Sequence, residues 1–236
     1  MNFLQIFQRA VKECRIPGTT PTTAIGQTGL LDEMVNWTAD AYREIQNKRE
    51  DWRWLRSTFT VPTVASTDAY AYGSCTDGLT ATAITRFAHW LPFDESGRTN
   101  TKIYLTSTGV SGERWLPFMA WGRFGALYKF GAQNDAPPAY CTINPQNKLI
   151  LGPKPDAVYT VSGEYQMSAQ ELAADADTPE MPTRFHMLVV YEVMQKYGLY
   201  KVAQETLIRG QAEANKMWSD LMLDQLPKIT FGGPLA

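Results

Sequence analysis

The spacing of apolar residues in this chain changes twice. From Leu30 to Leu55, Leu31, Met34, Val35, Thr38, Ala41, Tyr42, Ile45, Trp52 and Leu55 recur at steps of three and four, with one gap at Lys48-Arg49. That is the period of an amphipathic helix. From Ser57 the step becomes two, as in Thr58-Phe59-Thr60-Val61, which is the period of a half-buried strand. After Met167 the helical step returns. Helical stretches at both ends need partners for their apolar stripes, and the simplest partners are each other. The expected fold is therefore α+β. A discontinuous antiparallel four-helix domain comprises residues 1–56 and 168–227. It carries an inserted β-sandwich or barrel-like domain, 57–167, and ends in an extended tail, 228–236.

Within that plan, Phe3, Phe7, Ala10, Val11 and Cys14 share one face of a first helix that stops before Pro17-Gly18. The long helix would start with Thr28 as cap and run about 40 Å to Leu55. Glu44 and Lys48 would form an i,i+4 pair on its wet face. Short strands are expected at Thr58–Thr63, Ala69–Tyr72, Leu79–Ile84, Thr85–Pro92, Lys102–Thr106 and Arg114–Phe118, with Pro62 placing the first at a sheet edge. Trp121, Phe124, Leu127 and Tyr128 favour a short helix despite two glycines. The clearest local signal is a hairpin: Tyr140–Ile143, then Asn144-Pro145-Gln146-Asn147, then Lys148–Leu151. Val158–Met167 is a last strand. Two further helices follow. One starts with Thr183 as cap and runs to about Tyr200, with Gly198 permitting a break; the other spans Ala203 to Leu226 and is closed by Pro227.

Composition excludes several classes. Hydrophobic content of 44% with 19% charged residues fits an ordered globular chain. A net charge of −2 offers no global basic balance for gripping nucleic acid. The best basic cluster, Arg43, Lys48, Arg49, Arg53 and Arg56, is interleaved with Asp40, Glu44, Glu50 and Asp51, which reads as a mixed, ion-paired face. No apolar run approaches the ~20 residues of a membrane span, and there is no signal-peptide pattern at the start. Cys14, Cys75 and Cys141 are odd in number and far apart, so free thiols are expected.

Catalytic signatures are missing from the sequence. The two histidines, His89 and His186, have no motif around them, and no nucleophile elbow, zinc motif or phosphate loop occurs. Glu171, Asp175, Asp177 and Glu180 fit no calcium loop, and a solvated linker is the simpler reading. No catalytic residue, cofactor or metal is therefore expected. Two alternatives come from other classes. One is a wall-degrading or carbohydrate-active hydrolase using Asp94 and Glu95, which requires a paired acid and base in a cleft. The other is a glycan-binding module using Trp90, Trp115 and Trp121, which requires an exposed aromatic row. The last residues, Ile229, Thr230, Phe231, Gly232, Gly233, Pro234, Leu235 and Ala236, set apolar side chains on a backbone that cannot bury them locally. Such a segment suits docking into a groove on a neighbour.

Several stretches together carry a resemblance. They are the helix ending Asp51-Trp52-Arg53-Trp54-Leu55, the hairpin Ile143-Asn144-Pro145-Gln146-Asn147-Lys148-Leu149, and Pro153-Lys154-Pro155-Asp156. Asp177-Thr178-Pro179, Met181-Pro182, Phe185-His186 and Asp224-Gln225-Leu226-Pro227 complete the set. Over nearly its whole length the chain resembles the head-to-tail connector (adaptor) proteins of tailed bacteriophages, of the tail-accessory-factor type. The resemblance implies a structural virion protein at the neck, assembled in the host cytoplasm. It would form a ring, commonly of twelve copies, docked under the portal, and would meet the next tail component on its other side. Genomic DNA would pass through the central hole without sequence recognition, and no membrane is involved. Ile229–Ala236 would insert into the portal. A ring needs two different patches per subunit, and Trp37, Trp52, Trp54 and Trp218 are the candidates to supply them.

Overall fold

The computed structural model describes residues 1–226. Among these, the helices are α1 (Phe3–Glu13), α2 (Leu30–Asn47), α3 (Trp121–Tyr128), α4 (His186–Lys201) and α5 (Gln204–Gln225). The strands are β1 (Arg56–Pro62), β2 (Ala69–Tyr70), β3 (Thr76–Asp77), β4 (His89–Leu91), β5 (Lys102–Leu105), β6 (Arg114–Trp115), β7 (Tyr140–Ile143), β8 (Leu149–Gly152) and β9 (Tyr159–Gln166). The fold is α+β. The chain divides into two compact units: Met1–Leu55 together with the chain from Ala169 onward, and Arg56–Ser168.

In the helical unit α4 packs against α1, α2 and α5. It buries His186, Leu188, Val189, Val190, Val193, Met194 and Gly198, which is most of its circumference, as a central helix must. Gly198 does not end the helix, as its residue type suggested; α4 runs on to Lys201. Its role is close approach: a Cβ there would lie 2.8 Å from the Cβ of Leu207 on α5. The chain reverses instead at Val202, which adopts the left-handed conformation with φ 54°.

α1 opens with a capping box. Asn2 accepts from the Gln5 N–H and the Gln5 side chain accepts from the Asn2 N–H. Two more of its first N–H groups are satisfied from far along the chain, Phe3 by the Asp177 carbonyl and Leu4 by the Asp175 carbonyl. The stretch Ala169–Asp177 is thus an ordered loop and not a solvated linker. The Asp175 carboxylate accepts from the Ala24 N–H, and the Asp177 carboxylate accepts from the N–H groups of Ala173 and Ala174.

α2 departs from expectation at both ends. Its cap position is Gly29, with no side-chain bond, so Thr28 is not the cap. It stops at Asn47, well short of Leu55, and so spans about 27 Å at the usual rise. The gap at Lys48-Arg49 is where helix ends, because the buried stripe is interrupted there. The Trp52 indole N–H then donates to the Gln46 carbonyl, taking up one of the last carbonyls of the helix. Arg53–Leu55 form a single 3-10 turn into β1. Thr183–Phe185 likewise form a 3-10 turn before α4, so Thr183 is not a helix cap.

The β unit holds two antiparallel sheets. One has the order β3-β1-β9-β5-β6, with β4 also paired to β9; the other has the order β2-β8-β7. Of the two forms expected, sandwich or barrel, the sheets form no closed barrel: the first sheet ends at β3 and β6. Residues from both sheets share one core, including Phe59, Val61, Ile103 and Val161 from the first and Cys141, Leu149 and Leu151 from the second. β1 shows the period of two directly, with Ser57, Phe59 and Val61 buried and Thr58, Thr60 and Pro62 exposed. β1 is not an edge strand, since it lies between β3 and β9. β3 pairs only with Phe59 and Thr60, so Pro62 sits where β1 is bonded on the β9 side alone. Opposite Phe59 stands Gly163, where a Cβ would come within 2.9 Å of the ring. Leu79–Ile84, expected as a strand, is a turn region joined to β3 by the Thr76–Ala83 bridge and by hydrogen bonds between Asp77 and Leu79, Thr80 and Thr82. The hairpin forms as read, with Ile143 opposite Leu149 and Asn147 in the left-handed conformation. The Asn144 carboxamide accepts from the N–H groups of Gln146 and Lys148.

Candidate interaction surfaces

No group of three or more His, Cys, Asp or Glu side chains among the described residues is arranged to hold a metal ion. The titratable residues singled out from the sequence have structural partners. His186 is buried; the Met1 amine donates to its Nδ1, leaving Nε2–H to donate to the Met181 carbonyl. Burial holds its pKa below the ordinary value. His89 lies on β4 opposite Gln166. Asp94 closes a turn, accepting from Ser96 N–H, Ser96 Oγ and Arg98 N–H, which together lower its pKa. Glu95 pairs with Arg56 at 3.1 Å. These two acids are a turn and an ion pair, with no paired acid and base in a cleft. The most engaged carboxylate is Asp77 on β3. Burial works against its ionisation, but hydrogen bonds from Ser57, Leu79 N–H and Thr80 outweigh it and lower its pKa.

The thiols are all free and buried. Burial raises the pKa of Cys14, Cys75 and Cys141 to about 12. Of the basic cluster, Arg43 pairs with Asp40 and Arg56 with Glu95. Lys48 does not pair with Glu44: its ammonium sits 4.0 Å from the Trp218 ring centroid, and Glu44 pairs with Lys196 instead. A helix surface with neighbours on a second helix offers better geometry than the i,i+4 partner.

The tryptophans sort by burial. Trp52 is fully buried, stacked on Trp54 and Trp218 at 4.4 and 6.3 Å between centroids. Trp218 is buried too, its indole donating to Glu192 Oε1 at 2.7 Å. These two pack in the core of their own unit. Trp54 is half-buried, and so is Trp37, whose ring meets Tyr200 edge-on at 5.3 Å. In the β unit Trp90 is core, donating to the Asn147 carbonyl, so Trp90, Trp115 and Trp121 form no exposed row. Ile229–Ala236 lie outside the described residues.

What the helical unit does expose is an apolar tip at the α4–α5 reversal. Leu199, Tyr200 and Val202 are 68%, 56% and 88% exposed. Trp37 extends this patch from below through its contact with Tyr200.

The family model of the SU10 adaptor proteins matches residues 1–233. The chain belongs to the SU10 adaptor protein family. A comparison with curated proteins gave no match. As an SU10 adaptor the chain has a structural role in a phage, and the family is structural rather than enzymatic. Its surfaces are then to be read as contact surfaces for other head and tail components. No helix among the described residues of this adaptor is long and apolar enough to cross a membrane.

Proposed function

We propose that this adaptor assembles as a ring, of twelve copies, at the neck of the virion and joins the portal of the head to the tail. The observation that carries the reading is the family match over residues 1–233, taken with an apolar tip that its own unit leaves uncovered. Ring contacts would use Trp37, Trp54, Leu199, Tyr200 and Val202 against a different face of the next copy, since a head-to-tail ring joins unlike patches. Ile229–Ala236 would anchor in the portal. Genomic DNA would pass through the central channel without sequence recognition, and the β unit is a candidate for meeting the next tail component. A net charge of −2 suits such a channel, because a basic lining would hold the phosphates.

Light scattering of the purified protein with and without the portal tests this directly. The expected result is a defined multimer that forms or is retained on the portal. Removal of residues 228–236 should abolish portal attachment while the circular dichroism spectrum stays that of the folded chain. Normal binding by the shortened chain would exclude the anchor. Tyr200→Glu should prevent ring closure without unfolding the subunit, since the side chain is exposed; a ring that still forms would move the interface elsewhere.

A further inference from the structure

At the far end of the α4–α5 pair a groove of about 460 Å³ opens between Arg184 and Phe185 at the start of α4 and Met217, Asp220, Leu223 and Asp224 near the end of α5. That volume is in the range of ligand-sized pockets. Its lining mixes apolar side chains, Phe185, Met217 and Leu223, with charged ones, Arg184, Asp220 and Asp224. Arg184 lies over the Phe185 ring and reaches across to pair with Asp224, bridging the groove. Leu223, a large aliphatic side chain in the last turn of α5, is 80% exposed.

The chain itself leaves α5 at this groove. Leu226 is extended, as the residue before a proline should be, and Asp224 in the groove wall is only two residues earlier. The residues that follow, 227–236, hold Ile229, Phe231 and Leu235 and a single charge, Lys228. Their chemistry complements the groove: apolar side chains for the partly exposed Met217 and the exposed Leu223, and one cation for Asp220. Reach is no obstacle, since five residues from Leu226 to Phe231 span up to about 17 Å. We propose that this groove is the docking site of the chain's own segment 227–236, with Phe231 seated against Met217 and Leu223, so that the segment is held on its own subunit until the portal takes it. The second half of that statement rests on the portal-anchor reading; the docking itself does not.

The test uses the full chain with p-benzoylphenylalanine in place of Phe231, irradiated at low concentration without portal, and the products mapped by peptide mass spectrometry. The expected product has monomer mass and a crosslink to Met217 or Leu223. Leu223→Ser, harmless to folding because the side chain is exposed, should lower the crosslink yield about tenfold, the effect of losing one large aliphatic contact. Amide exchange in the last turn of α5 should also quicken in a chain ending at Leu226. Crosslinks only outside the groove, crosslinks between two chains, or an undiminished yield in Leu223→Ser would each overturn the proposal. Because portal is absent, an intrachain crosslink combined with unimpaired portal binding by the shortened chain would sink the anchor reading alone.

Discussion

Gln46 shows how much one side chain can hold. It is buried on α2, its carboxamide oxygen accepts from the Gln170 N–H at 2.7 Å, and its amide donates to the Gln170 carbonyl at 2.9 Å. Tyr42 and the Gln170 side chain extend the network to the Glu180 N–H. Gln46→Ala removes the partners of both partly buried backbone groups of Gln170, so it should cost about 1–3 kcal/mol in urea unfolding with an unchanged m value. His186 gives a pH signature. Its folded pKa lies below the unfolded 6.5, so the unfolded chain binds the proton more readily. Its contribution is complete above 6.5 and is lost as pH falls below it. The lowered carboxylates, such as Asp77, lose theirs only near and below 3.8. Stability should therefore already decline as pH falls below 6.5, and His186→Gln should flatten that part of the curve in thermal melts across pH. The cysteines predict silence: native protein should not react with a thiol reagent at neutral pH, and all three thiols should react on unfolding.

At the scale of elements the reversal between α4 and α5 is the informative place. Gly198→Ala would drive a Cβ into Leu207 and should cost about 1–3 kcal/mol. Gly125→Ala on α3 meets nothing within 4 Å and should stabilise by up to about 1 kcal/mol through helix propensity alone. Opposite signs from the same substitution in two helices would separate packing from propensity; equal signs would refute the close-approach role. Val202 is a β-branched residue in the left-handed region, where glycine is usual. Val202→Gly should therefore raise the melting temperature while removing an exposed apolar side chain from the proposed ring contact. α1 is tied to α5 by Glu13, whose two oxygens take Arg9 at 2.7 Å and Arg209 at 2.6 Å. The guanidinium groups are half exposed, so Glu13→Gln should cost no more than about 1 kcal/mol.

For the whole molecule, the periods of apolar residues were enough to read an α+β chain with helices at both ends, because a stripe every 3.6 or every 2 residues is a local consequence of backbone geometry. The hairpin around Asn144–Asn147 was legible for the same reason: its hydrogen bonds close within five residues. Long-range partners were not legible. Trp52 and Trp54 looked alike in sequence, and only the fold buried Trp52 between Trp54 and Trp218 while leaving Trp54 partly at the surface. The acidic stretch Ala169–Asp177 has the composition of a solvated linker, yet its carbonyls complete the first turn of α1, some 170 residues away. Gly198 carried a stop signal by residue type and a packing role by position. Local chemistry thus decided which segments are helix, strand and turn, since those choices are settled by neighbours a few residues apart. Tertiary structure alone decided which tryptophans are core, which carboxylates are engaged and which apolar residues remain at the surface, because each of those depends on groups that only folding brings within contact distance.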